Sequence, residues 1–300
     1  MSDNNELVRL SEGLATAVAQ VTTALVRVDD GSMLTATGLI WDSEGVIVSA
    51  SHAVERDDEV SVVLYDGSRY PANLVGRDTD TDIAVLKVEG VSGLSPIARQ
   101  DDANAVQVGN IAVAVAVPGE AGVVATLGLV SRKQETQTDN YPEYILNTDA
   151  VFYPGFSGGA LIDVQGRMVG MLNRLFGRGM GVALGTPMVD RVVSTLFQYG
   201  KMPRGYLGVR TQLVELPENL RVGLAIAQEH GLLVLHTEPG SAADSAGMLI
   251  GDILLQLGEE PLEDVSVLRR NLRAGQVVSV TLLRGGQMQT VSVTVGVAKE

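Results

Sequence analysis

The sequence predicts a mainly β chain with a smaller α+β module at its C-terminal end. Between residues 24 and 185, short apolar runs succeed one another at near-regular spacing. That rhythm marks an all-β barrel or sandwich rather than a βαβ fold. Turn dipeptides such as Glu44-Gly45, Asp66-Gly67 and Gln165-Gly166 punctuate it, and after residue 205 strand and helix patterns alternate instead. With 300 residues the chain can hold two domains, each with its own core.

Taken in order, Leu7, Leu10, Leu14, Val18 and Val21 recur at helical spacing and predict an amphipathic helix over 5–20. The strand runs follow: "ALVRV" (24–28), "TATGLIW" (35–41), "GVIVSA" (45–50), "EVSVVLY" (59–65), "RYPANLV" (69–75) and "DIAVLKV" (82–88). A second series runs "NIAVAVAV" (110–117), "GVVATLGLVSR" (122–132), "EYILNT" (143–148), "GALID" (159–163), "RMVGML" (167–172) and "MGVALG" (180–185). Near 190 the period returns to helix, with Thr186 as the expected N-cap and Pro187 in the first turn. The first domain is expected over 1–200, a linker over 201–204 and the second domain over 205–300. In the second, "GYLGVRT", "GLLVLHTE" and "GDILLQLG" read as strands and "EDVSVLRRNLRAG" as a helix. Ser241 and Asp244 have capping-box spacing, Gly247 ends that turn, and Gly285-Gly286 turns a final hairpin. No internal repeat is legible.

Composition narrows the function. A formal charge of −14 without a basic run argues against a nucleic-acid partner. No run of eighteen apolar residues predicts a membrane span. The absence of cysteine excludes disulfides, zinc–thiolate sites and a cysteine nucleophile. The opening "MSDNNELVRL" has no basic cluster, and Gln20, Thr22 and Thr23 break the next apolar run. A secretory signal is therefore not expected and a cytoplasmic location is favoured, with a periplasmic or extracytoplasmic one if a signal was removed. No cofactor or metal is predicted. The acidic "DDANA" (101–105) reads as a solvated turn, and "GRGMG" (177–181) lacks the Lys-Ser/Thr and the following helix of a phosphate loop.

One stretch carries chemistry: "YPGFSGGALIDVQGRMVG", where Ser157 stands among Gly155, Gly158 and Gly159. Such a serine can be a turn residue. It can also be a nucleophile whose neighbours lack side chains so that backbone N–H groups reach a reacting carbonyl. Serine needs a base, and of His52, His230 and His236 only His52 shares its domain. Asp82 opens the next long strand and can orient the imidazole, with Asp78 and Asp80 as competitors. His52, Asp82 and Ser157 stand in a known triad order. "GFSGG" also matches the nucleophile elbow of α/β-hydrolases, which would require a helix after Ser157 and His230 or His236 as base.

On these residues the chain resembles the HtrA/DegP-type serine proteases, from about residue 12 to 297. "TDIA" at 81–84, "VSASHAV" around His52, "NTDA" at 147–150 and "GFSGGAL" at 155–161 carry the likeness. The resemblance implies a chymotrypsin-like double β-barrel followed by a small α+β PDZ domain. It implies catalytic roles for Ser157, His52 and Asp82, with the Gly155 and Ser157 N–H groups as oxyanion donors. Val151, six residues before the nucleophile, with Leu172 and Ala183, would form a specificity pocket for small or medium apolar residues. Phe156 and Ala160 replace the family's Asn and Pro, and Ser51 precedes the histidine where Asn or Ala is usual; a bulky Phe156 could disturb the oxyanion geometry. Tyr206, Leu207, Gly208 and Val209 would form the PDZ carboxylate loop, facing "VSVLRRNL" across the peptide groove. The implied function is a serine endopeptidase that cleaves unfolded or damaged proteins and binds peptide C-termini at the PDZ domain, assembled as a homotrimer. The alternative is a non-proteolytic chaperone or PDZ scaffold with a silent protease domain.

Overall fold

The computed structural model describes residues 3–31, 36–54, 56, 60–100, 102–138, 141–174, 181–202, 205–272 and 274–297. The chain divides into two compact units, Met1–Met202 and Pro203–Glu300. The expected linker residues 203 and 204, and most of "GRGMG", lie outside the described residues.

The first unit opens with helix α1 (Asp3–Thr22). Six strands then close a barrel: β1 (Leu25–Asp29), β2 (Ala36–Ile40), β3 (Val46–Ala50), β4 (Ser61–Val63), β5 (Arg69–Asp78) and β6 (Ile83–Val88). Its strand order is β1-β2-β3-β6-β5-β4. The second barrel contains β7 (Ile111–Ala116), β8 (Val124–Thr138), β9 (Tyr141–Thr148), β10 (Ala160–Ile162), β11 (Met168–Asn173) and β12 (Gly181–Gly185). Its order, β7-β8-β9-β12-β11-β10, retraces the path of the first.

The near-continuous apolar strands follow from having a core on each face. In β3, Ile47 points into the first barrel while Val46 and Val48 point into the apolar cluster between the barrels. In β7, Ala112, Ala114 and Ala116 fill the second barrel while Val113 and Val115 join that same intervening cluster. Alternation at period two then buries every residue of the run. Ala17 and Val21 of α1 complete the intervening core, but Leu7 and Leu10 of the same face stay exposed.

Helix α2 (Thr186–Tyr199) closes the unit, packing Val189, Val192 and Leu196 on the shared core. Its N-cap is Gly185 rather than the expected Thr186. The Thr186 hydroxyl is buried and instead donates to the Gln100 carbonyl at 2.8 Å.

The second unit holds β13 (Gly205–Tyr206), β14 (Val209–Glu215), α3 (Glu218–Leu224), β15 (His230–Thr237), α4 (Ala242–Ser245), β16 (Ile253–Leu257) and β17 (Glu260–Pro261). α5 (Val265–Asn271), β18 (Val277–Arg284), β19 (Gln287–Thr294) and β20 (Gly296–Val297) complete it. The main sheet runs β14-β15-β16-β18-β19, and β13 pairs with β20. Ser241 accepts from the Asp244 N–H at 3.3 Å, while Asp244 turns its carboxylate to the Gly240 N–H at 2.8 Å. Gly285 and Gly286, both at positive φ, turn β18 into β19 with Arg284 opposite Gln287.

Candidate active site

Strand pairing brings the first two site residues together. β3 and β6 are antiparallel with Ala50 opposite Ile83, so His52, in a 3-10 turn just beyond β3, meets Asp82, just before β6. The Asp82 carbonyl accepts the Ser51 N–H at 3.0 Å. Its carboxylate accepts the His52 backbone N–H at 2.8 Å through Oδ1, and Oδ2 lies 2.5 Å from His52 Nδ1. A carboxylate only accepts, so this contact places a ring proton on Nδ1, and in the neutral imidazole Nε2 then carries the lone pair. Asp82 is 2% exposed, whereas the His52 side chain is 36% exposed and within reach of a ligand.

Asp82 also holds φ at +57°, in the left-handed region. Such strain in a non-glycine residue persists where the surroundings over-determine it. Here they do so with hydrogen bonds to both backbone and side chain. Of the competing aspartates, Asp78 instead accepts the Asp80 N–H and the Thr81 hydroxyl, shaping the turn that delivers Asp82.

A residue that the sequence reading missed completes the arrangement. Asn173 ends β11 in the second barrel, is fully buried, and donates from Nδ2 to Asp82 Oδ2 at 3.0 Å. The available signal was a polar side chain closing the apolar run "MVGMLN".

Ser157 comes from the second barrel, buried between that barrel and the first. Its carbonyl accepts the Thr37 N–H of β2 at 3.3 Å, and the Thr37 hydroxyl donates to the Gly155 carbonyl at 2.8 Å. The glycines around it have a packing reason. A Cβ on Gly158, which has φ +83°, would stand 2.1 Å from the Thr37 carbonyl oxygen and 2.8 Å from Ser49 Oγ. Gly158 thus packs against the strand that leads into His52. Gly155, at φ +84°, is the third residue of a turn closed by Phe156 N–H to Tyr153 carbonyl at 3.1 Å, a type II turn. β10 follows Ser157, so the strand-turn-helix context of a nucleophile elbow is absent, and His230 and His236 belong to the other unit.

Phe156 does not crowd the turn. It is fully buried in the second barrel's core, with the Phe152 and Tyr153 rings 6.1 and 5.7 Å away. The expected pocket needs correction. Leu172 and Ala183 face one another across β11 and β12 inside the barrel, both with no exposure. Residues that no solvent molecule touches cannot line an open wall. Val151 is 55% exposed. The ring of the next residue, Phe152, abuts Gly181 so closely that a Cβ there would lie 2.6 Å from Cζ.

In the second unit Leu207 is buried in the module core rather than lining a surface, and Gly208 takes φ +82° against Ser241. The Leu207 and Gly208 carbonyls accept from the Ala243 and Glu238 N–H groups, both at 2.8 Å. The Tyr206 hydroxyl donates to Glu238 Oε2 at 2.5 Å. That hydrogen bond, helped by burial and the carboxylate charge, raises the phenol above its ordinary range. β14 is the sheet's edge, and Leu268 of α5 joins the same core as Leu207. Among the described residues no group of His, Cys, Asp and Glu is arranged to hold a metal ion.

Comparison with known proteins gives a consistent picture. Residues 36–171 match the trypsin-like peptidase domain and residues 205–295 match the PDZ domain. The probable periplasmic serine endoprotease DegP-like of Rhizobium meliloti is 33% identical over 269 residues, covering 87% of this chain and 53% of its own length. The periplasmic serine endoprotease DegP of Escherichia coli is 30% identical over 271 residues, with 87% and 56% covered. The chain thus spans about half the length of the curated relatives it matches. Among solved structures, the HtrA-type protease AlgW with decapeptide superposes with a TM-score of 0.65 at 25% identity, covering 96% of this chain and 99% of that one. A serine endoprotease from Yersinia pestis gives 0.62 at 27% identity, with 95% and 98% covered.

Proposed function

This chain belongs to the HtrA/DegP serine proteases, joining a trypsin-like peptidase domain to one PDZ domain, and we propose that it acts as an endopeptidase through Ser157, His52 and Asp82. The observation that carries this reading is Asp82, buried, held at positive φ, and bonded through its carboxylate to the His52 backbone and ring at once. His52 Nε2 removes the Ser157 proton as Oγ attacks the scissile carbonyl. Asp82 keeps the imidazole in the accepting tautomer and offsets the imidazolium charge. The Gly155 and Ser157 N–H groups stabilise the oxyanion, and the type II turn at Gly155 supports that assignment. The imidazolium then protonates the departing amine, and water hydrolyses the acyl-enzyme by the reverse proton path.

The division we adopt is a protease domain over 1–200, a linker over 201–204 and a PDZ domain over 205–300. The left-handed Gly208 and the free edge of β14 support capture of a peptide C-terminus, which would add as a further strand. Unfolded proteins are the substrates this pairing suits. The exposed Leu7 and Leu10 of α1 support self-association, for which we propose the trimer. The curated relatives are named periplasmic, which favours an extracytoplasmic location over the cytoplasmic one expected from sequence.

Casein cleavage by the wild type and Ser157→Ala, each with and without a peptide ending in an apolar residue, tests the reading. Turnover should fall by roughly a millionfold in Ser157→Ala, and a fluorophosphonate probe should label only the wild type. Equal residual activity in both forms would remove Ser157 from the chemistry.

A further inference from the structure

Arg27 lies on β1 opposite Thr37 of β2. Directly opposed residues of an antiparallel pair project from the same face. The guanidinium therefore leaves the sheet beside the side chain that anchors Gly155. From there it reaches the loop after β7. The Val117 N–H of that loop donates to the Thr37 hydroxyl at 2.9 Å, and its Pro118 packs against Gly155. Arg27 is only 12% exposed, yet its ion-pair partner Glu120 stands 3.7 Å away and is 91% exposed. Arg27 Nε is buried without a hydrogen-bond partner. Asp29, two residues along the same strand, lies within reach of its charge. That carboxylate is already bonded by the Gly31 N–H and by Arg69. A mostly buried arginine with an unpaired Nε–H and a loosely held carboxylate partner calls for an explanation.

On the proposed protease reading, Ser157 and Gly155 flank the scissile carbonyl. Thr37 and Pro118 both contact Gly155, with Arg27 beside Thr37, so a leaving fragment that passes Gly155 on that side meets the guanidinium. We propose that Arg27 is a specificity residue for that fragment, pairing with an Asp or Glu side chain within the first three residues after the scissile bond. Glu120 holds the place until substrate displaces it.

The test uses internally quenched peptides that differ only in carrying Glu or Gln at each of those three positions. At one of them the wild type should favour Glu by about tenfold in kcat/KM, the size of a charge-assisted hydrogen bond at a mostly buried guanidinium. Arg27→Gln should bring the ratio to one, Glu120→Gln should raise it, and added salt should erode it. Should Arg27→Gln fail to fold, Arg27→Lys, which loses the planar fork, should still lower the ratio. A ratio near one in the wild type at all three positions, or a preference that Arg27 substitution leaves intact, would overturn the assignment. Fluorophosphonate labelling and cleavage of a small activated ester need nothing beyond the scissile bond. Their persistence with a flat Glu/Gln ratio defeats only this inference, whereas their absence in the wild type defeats the protease reading itself.

Discussion

Replacing Asp82 by Asn probes the site where it is most constrained. Asn enters the left-handed region at low cost, so the backbone at φ +57° should survive. The hydrogen bonding cannot. The carboxylate takes the His52 backbone N–H on Oδ1 and both His52 Nδ1 and Asn173 Nδ2 on Oδ2. An amide offers one oxygen and one NH₂ group that only donates. With its oxygen in the Oδ2 place, the NH₂ faces the His52 backbone N–H. With its oxygen in the Oδ1 place, Nδ1 must accept, the proton moves to Nε2, and the base is lost. Turnover should drop by roughly a thousandfold to ten-thousandfold, the loss typical of this exchange in a triad. That is about 4–5.5 kcal/mol of transition-state stabilisation. Unfolding free energy should fall by only about 1–3 kcal/mol, the cost of one unmet buried donor. Steady-state peptide hydrolysis beside a thermal melt separates the two. A folded Asp82→Asn enzyme within tenfold of wild type would refute the role given to this carboxylate.

Two further outcomes follow from burial. Phe156→Asn should destabilise the protease domain by about 3–5 kcal/mol, because it empties a filled core site and leaves an amide there; a melting temperature at or above wild type would contradict this. In the second unit, burial alone would raise the Asp252 carboxyl, but hydrogen bonds from Arg284 and the Leu249 N–H, with the guanidinium charge, hold it below its ordinary 3.8. A lowered value means the stabilisation is present above 3.8 and is lost as pH falls through the folded value. Arg284→Ala should cost at least about 2 kcal/mol at neutral pH and move the acid loss to higher pH, since Asp252 would stay buried without its partner. Denaturant melts of that domain from neutral pH downward read both effects.

The inner barrel strands were legible because their apolar runs serve two cores and so leave few polar interruptions. Spacing alone left barrel and sandwich open, because pairing order depends on contacts far apart in sequence, and only the family resemblance implied two closed barrels. The two barrels trace one path with no sequence repeat to announce it. His52, Asp82 and Ser157 stood out by residue type and order. Asn173 and Arg27 did not, because a polar side chain in an apolar strand reads as solvent-facing until its neighbours are known. The pocket assignment failed on parity: Leu172 and Ala183 sit on the right strands but point inward.

The reactive groups are divided between the barrels, His52 and Asp82 on one and Ser157 and Asn173 on the other. On the proposed reading neither half is an enzyme by itself, and catalysis belongs to their seam. Warming that slackens the seam should silence the protein while circular dichroism still reports intact sheets.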